Sequence, residues 1–207
     1  LVEEMMILMG NVIANYGVRN DIPLIYRVQD ISPIPQHFDN LDLSVYESYL
    51  KRKLKKARLS SKPMKHFTLG LDKYVQATSP IRRYSDFLVH RQIINYLDGK
   101  KIISRQDMAN YITYLESRTE ESNQRIREEQ KDCQSSWFIN YPDKIWKVYF
   151  ILKLKKSEEN VLLRFSELEQ DIACKINRSR TYELGECLHI KFSRIDSHDK
   201  VLTFNHC

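Results

Sequence analysis

Near Pro142 the hydrophobic period of this 207-residue chain changes from helical to alternating. Residues 144–154 (KIWKVYFILKL), 160–165 (NVLLRF), 172–176 (IACKI), 187–195 (CLHIKFSRI) and 200–204 (KVLTF) alternate apolar and polar side chains, with polar turns between them. A period of two places alternate residues on opposite faces of a strand. Five short strands in roughly 65 residues indicate a small closed barrel, and the OB-fold is the commonest such module that binds nucleic acid. The fold class expected is therefore α+β, a mainly helical part over 1–137 followed by a five-stranded OB-fold β-barrel over 138–207.

Upstream, Val2, Met5, Met6, Met9, Val12 and Ile13 recur at helical spacing with Glu4 and Asn11 together on another face, which predicts an amphipathic helix with a polar seam that Gly17 ends. Residues 23–30 (PLIYRVQD) read as a short strand leading to a loop with Pro33 and Pro35. A second helix is expected over 43–59; six of the eight residues from Lys51 to Arg58 are basic, which suits either phosphate tracking or a solvated face. One strand is expected near 66–69. A long polar helix is expected from Ser104 to about Gln134.

Composition narrows the function. Lys and Arg exceed Asp and Glu by 33 to 27, a net charge of +6 that favours an anionic partner. The four cysteines form no C-x-x-C pair, which argues against structural zinc or a disulfide framework and for a reducing compartment. No stretch approaches the ~20 apolar residues of a membrane span, so no membrane partner is expected. Leu1 opens inside a periodic run and reads as a cut, so that part of any site is expected upstream.

Residues 74–91 (YVQATSPIRRYSDFLVHR) are the most informative. Ser79 and Pro80 form a helix-start signal, with the helix expected over 81–97. Arg82 and Arg83 would then lie in a first turn, where the helix dipole disfavours cations. Free N–H groups and two guanidinium groups pointing one way suit phosphate. Arg82, Asp86 and His90 follow at i, i+4 and i+8 as one polar strip, Asp86 able to orient an arginine and His90 suited to a structural hydrogen bond. Tyr84, Phe87, Leu88 and Ile94 are expected to face the core. A structural ion-pair network is the alternative reading of the same residues.

TSPIRRYSDFLVHR, preceded by HFTLGLDKY, resembles the signature of the ribonuclease II family of exoribonucleases, the RNB catalytic domain. LVEEMMILMGN and IPLIYRVQD resemble further family motifs in the same order, and the barrel resembles the family's C-terminal OB module. YPDKIW and the REEQ run before it look like the cyanobacterial and plastid branch. The resemblance implies processive 3′-to-5′ degradation of single-stranded RNA to nucleoside 5′-monophosphates, with magnesium as cofactor. Metal-bound water chemistry needs clustered carboxylates. The resemblance puts those upstream of Leu1, and no such cluster accompanies Glu3 and Glu4.

The resemblance further assigns Arg82 to the scissile or neighbouring phosphate, as the catalytic residue of this chain. It implies that Arg83 and Tyr74 support the RNA track or the local fold, that Asp86 orients an arginine, and that Glu3 or Glu4 lies near the 3′-terminal nucleotide. An acid shaping the channel is matched first by Glu128 and second by Glu129. In the barrel, Trp146, Tyr149, Phe150, Lys153 and Lys155 interleave aromatic and basic residues as base-stacking surfaces do. Phe150 is expected in the core, and Trp146 and Tyr149, three apart, on opposite sides of their strand. A non-catalytic RNA-binding module and a protein-interaction scaffold are the competing readings. The expected compartment is the cytoplasm or the chloroplast stroma.

Overall fold

The computed structural model describes residues 1–33, 41–154, 159–177, 181–196 and 200–207. Its helices are α1 (Val2–Arg19), α2 (Leu43–Lys53), α3 (Tyr84–Leu97) and α4 (Arg105–Ile139). Its strands are β1 (Tyr26–Val28), β2 (Arg58–Ser60), β3 (Ile145–Lys153), β4 (Asn160–Phe165), β5 (Gln170–Ile176), β6 (Cys187–Ile195) and β7 (Leu202–His206). They form two compact bodies, Leu1–Ser32 with Lys55–Asn123, and Pro33–Leu54 with Gln124–Cys207.

This division corrects the boundary expected at 137/138. Helix α2 belongs with the barrel because Val45 joins Ile151 and Leu162 in one apolar cluster, and the Ser48 hydroxyl donates to Asp171 at 2.8 Å. The end of α4 belongs there too. Phe138 is 1% exposed and lies in the barrel core.

In the first body, α1 packs through small residues instead of large ones. Gly10, Ala14 and Gly17 are its buried positions. A Cβ at Gly10 would lie 2.3 Å from the Val75 carbonyl oxygen and 2.4 Å from the Tyr74 ring, and one at Gly17 would lie 2.3 Å from Leu24. That close approach turns the larger side chains outward, leaving Met5, Leu8 and Val12 more than half exposed. Gly17 is a packing residue within the helix, which runs on to Arg19.

Strand β1 pairs antiparallel with β2, Tyr26 opposite Ser60 and Val28 opposite Arg58. Helix α2 stops at Lys53 instead of Leu59, because Leu54 is extended and the Lys55 backbone is held by the Ser32 hydroxyl and the Gln29 amide. The basic run is therefore split between a helix end, an extended link and a strand. Residues 67–69 form a short 3₁₀ turn in place of the expected strand, closed by Gly70 at φ +63°, with His66 bridged to Gln29 and Leu71. The body's core gathers Leu24, Tyr26, Val28, Val75, Leu88, Val89 and Met108.

In the second body the strands close in the order β3-β4-β5-β7-β6, the barrel expected from the alternating period. Every pairing is antiparallel except β5 with β7. Phe138, from α4, makes edge contacts with Trp146, Phe165 and Phe204 at centroid distances of 5.6, 5.5 and 5.2 Å. One helix end thus contributes a ring to the barrel core.

Candidate functional site

The loop from Thr78 to Arg83 in the first body is held by one carboxylate. Asp86 is fully buried, and its Oδ2 accepts hydrogen bonds from the Ser79 backbone N–H at 3.0 Å and from Arg83 Nε at 2.9 Å. Arg83 Nη2 lies 2.7 Å from the same oxygen and donates to the Thr78 hydroxyl at 3.1 Å. The Ser85 hydroxyl donates to Oδ1 at 3.1 Å. A buried charge is tolerable when paired and hydrogen-bonded, and both conditions hold here. The loop is fastened by charge.

This arrangement corrects the helix start. Helix α3 begins at Tyr84 with Arg83 as its N-cap residue, so neither arginine occupies the first turn. The Ser79 carbonyl instead accepts from the Arg82 and Arg83 N–H groups, forming a turn ahead of the helix. Arg82 and Asp86 do not share a strip, since Asp86 is fully buried and Arg82 is exposed. It is Arg83 that Asp86 orients. His90 Nε2 is 2.6 Å from the Ala77 carbonyl, the structural hydrogen bond expected of it.

Arg82 makes no hydrogen bond or ion pair through its side chain among the described residues, and Ile81 beside it is wholly exposed. Tyr84 and Phe87 were expected in the core but are 47% and 44% exposed. Their rings stack at 5.8 Å with 27° between planes. Ile94 is also exposed, and of the four residues expected inside only Leu88 is buried. Arg82 therefore projects from a fixed loop near an exposed aromatic pair.

Behind the loop, Tyr74 is packed against Gly10, and the His66 ring meets it edge-on at 5.7 Å. Burial raises the Tyr74 hydroxyl pKa, with Arg83 and Arg27 opposing and Asp86 adding to the rise. His66 is lowered by burial and then by Arg27. Arg27, between Tyr26 and Val28 on β1, takes the opposite face from those core residues, and its backbone N–H donates to the Tyr74 carbonyl at 2.8 Å. Burial and then the Arg83 guanidinium lower its pKa. The periodicity of the strand was the available signal for Arg27, since it is the one polar residue between two apolar ones.

Other expected residues lie apart from this loop. Glu3 and Glu4 are exposed in the first turn of α1. Glu128 is exposed on α4 and accepts from Gln124 one turn away, while Glu129 lines a groove with Cys133, Trp137 and Asp171. Trp146 is 1% exposed, so it is a core residue and no stacking platform; the inward half of the alternating strand claims it. Phe150 is buried as expected, Tyr149 is partly exposed on the other side, and Lys153 is exposed. Lys155 lies outside the described residues. In the basic run, Lys51 approaches Glu47 at 4.0 Å, Lys53 sits over the Tyr49 ring and Arg58 approaches Asp30 at 3.7 Å.

Among the described residues no group of three or more His, Cys, Asp or Glu side chains is placed to hold a metal ion. The loop's N–H groups of Ser79, Arg82 and Arg83 are taken within the protein, which leaves the exposed Arg82 guanidinium as the donor that can attract an anion. An exposed guanidinium suits an anion, and the residues around the loop do not fit a magnesium site.

The RNB domain family matches residues 1–99. An uncharacterized ribonuclease of Synechocystis sp. is 28% identical over 99% of this chain, which spans 31% of that protein. A chloroplastic/mitochondrial ribonuclease II of Arabidopsis thaliana is 40% identical over 48% of this chain and 13% of its own length. Among solved structures, the Dss1 exoribonuclease of Candida glabrata superimposes over the whole chain with a TM-score of 0.81 at 20% identity, covering 28% of that protein. RNase R of Mycoplasma genitalium, in complex with ribose-methylated single-stranded RNA, gives 0.78 at 19% identity over 41% of its length. The chain spans less than a third of the curated relatives it matches.

Proposed function

From the match of residues 1–99 to the RNB domain family and the likeness to ribonucleases, we propose that this chain forms the RNA-holding part of a 3′-to-5′ exoribonuclease that releases nucleoside 5′-monophosphates processively from single-stranded RNA. The observation carrying the reading is the exposed Arg82 guanidinium on a loop fastened by the buried Arg83–Asp86 pair. A positioned cation at a phosphate offsets the charge that develops as the phosphodiester bond is attacked. Removing a group of this kind costs on the order of 10²-fold or more in rate. Asp86 and Thr78 hold the loop so that Arg82 meets RNA without first being ordered.

Magnesium in such a reaction would activate water and stabilise the leaving oxygen. Its carboxylate ligands are proposed to come from outside the described residues, because no suitable cluster occurs among them. Glu3, Glu4, Tyr74, Arg83, Glu128 and Lys153 remain candidates for the RNA track. No helix among the described residues is long and apolar enough to cross a membrane, and a cytoplasmic or chloroplast-stromal setting is proposed with the activity.

The test is a titration of the purified chain into fluorescently labelled oligouridylate at rising salt, with product analysis in parallel. The expected result is weak binding that falls as salt rises, and no release of mononucleotide with or without magnesium. Magnesium-dependent release by this chain alone would contradict the division of labour. Salt-insensitive behaviour, or no binding, would favour the protein-interaction scaffold.

A further inference from the structure

We infer that the outward face of β3 and β6 is the surface on which the barrel holds single-stranded RNA, with Lys147 against a phosphate and Tyr149 and His189 against bases. The inference rests on the RNA-holding reading above and gives it a location on the second body.

The face that OB-folds ordinarily turn to oligonucleotides lies on their second and third strands. In this barrel those strands are β4 and β5, and their outward positions are occupied by the chain itself. Leu162 of β4 is 2% exposed, packed with Ile151 and with Val45 of α2. Arg164 and Asp171, opposite one another on β4 and β5, are paired at 3.1 Å, and the same carboxylate oxygen accepts from the Ser48 hydroxyl of α2 at 2.8 Å. Helix α2 is thus fixed over this face by an apolar cluster and a hydrogen bond, and RNA laid there would have to displace it.

The outward face of β3 and β6 is exposed instead. Burial alternates along it, with Lys147, Cys187 and His189 outside and Trp146, Val148, Leu188 and Ile190 inside. Pairing sets Lys147 directly opposite His189, Tyr149 opposite Cys187 and Ile145 opposite Lys191. Lys147 Nζ lies 5.6 Å from the centroid of the Tyr149 ring, so cation and aromatic face adjoin. Tyr149 is itself packed at the edge of the α2 cluster, which steadies its ring. None of these outward positions is acidic, and the carboxylate that approaches them, Asp143, is paired with Lys191 at 2.9 Å. Single-stranded RNA offers the complement of this row: unstacked bases for the tyrosine and histidine rings and a phosphate for the ammonium. A duplex hides its base faces in the stack, so the combination of rings and cation selects single strands. Because these side chains stand on two hydrogen-bonded strands, their spacing is set before RNA arrives.

The experiment photo-cross-links oligouridylate carrying 4-thiouridine to the full chain and maps the attached peptides by mass spectrometry. Salt titrations and melting curves of wild type, Lys147→Gln, His189→Ala and Arg82→Gln accompany it. Attachment within residues 145–149 or 187–191 is expected. Lys147→Gln should lower the log–log salt slope by about 0.7, the single-strand value for one phosphate. His189→Ala should weaken binding about fivefold or more, as for one lost stacked base, and both variants should melt as wild type. The cross-links, made on wild type, decide the case in which a variant fails to fold. Cross-links confined to residues outside these two segments, or wild-type slope and affinity in both variants while Arg82→Gln is impaired, would overturn this surface and leave the broader reading intact. Absence of salt-sensitive binding by wild type would overturn both.

Discussion

The two bodies solve the problem of charged and apolar surface in opposite ways. The barrel is closed, and its aromatic side chains, Phe138, Trp146, Phe165 and Phe204, are buried against one another. The helical body keeps Asp86 at zero exposure while Met5, Leu8, Val12, Tyr84, Phe87 and Ile81 stand outside. A closed sheet has no edge to protect and one inward face to fill, and two further apolar residues, Ile151 and Leu162, are covered by Val45 of α2. The helical body packs α1 by glycine and alanine, and buries beside its apolar core a carboxylate that anchors a loop. The difference teaches that the barrel core buries aromatic and aliphatic side chains, whereas the helical body also buries a carboxylate that fastens the loop carrying the exposed Arg82.

The largest effect that could break this contrast lies in the barrel. Phe138→Ala should destabilise the second body by about 3–5 kcal/mol, from lost burial plus the cavity left behind. Urea denaturation followed by tryptophan fluorescence reads it, since Trp137 and Trp146 adjoin that ring. A loss under 1 kcal/mol would mean that the helix end is not part of the core.

Asp86→Ala comes next and sharpens the other side. It leaves Arg83 and the Ser79 N–H without their acceptor, and should cost the first body about 3 kcal/mol, at the lower end for breaking a buried pair because Arg83 keeps some contact with solvent. Hydrogen exchange at residues 78–83 should rise with it. If the loop stayed protected, the carboxylate would not be its anchor.

The smallest effect is a pH dependence of the first body. His66 is 8% exposed, and burial and Arg27 hold its pKa below the ordinary value of about 6.5. The unfolded chain therefore binds this proton at higher pH than the folded one, so the contribution is intact above about pH 6.5 and is lost as pH falls toward the lowered folded value. Melting of wild type at pH 7.5 and 5.5 should differ more than melting of His66→Gln. Equal differences would place the imidazole in contact with solvent.

The barrel was the most legible part of the chain. Strands β4 and β6 match the alternating segments residue for residue, because a side chain on a closed sheet has only an inside and an outside. The same rule separated buried Phe150 from outward Tyr149, and the interleaving of aromatic with basic residues misled only at Trp146, whose position in the period already pointed inward. In the helical body the rules competed. The apolar stripe of α1 marked an amphipathic helix, but the face that packs is set by Gly10, Ala14 and Gly17, which permit a closer approach than Met or Leu could. Ser79 and Pro80 resembled a helix start, yet the pairing of Arg83 with Asp86 made Arg83 the N-cap residue and turned 79–82 into a loop. Asp86 as an arginine holder and His90 as a structural histidine were legible from spacing alone. Arg27 was legible only as the polar residue between two apolar ones in β1, a signal that places it on the other face of the strand without giving it a role.

The central claim is that Arg82 is free to meet RNA while Arg83 and Asp86 hold the loop that carries it. The direct test is oligouridylate binding by wild type, Arg82→Gln and Arg83→Gln, each with a melting curve. The account predicts that Arg82→Gln binds more weakly, with a salt slope reduced by about 0.7 and an unchanged melting temperature, whereas Arg83→Gln melts earlier. Arg82→Gln that binds as wild type, or that melts early, would contradict it.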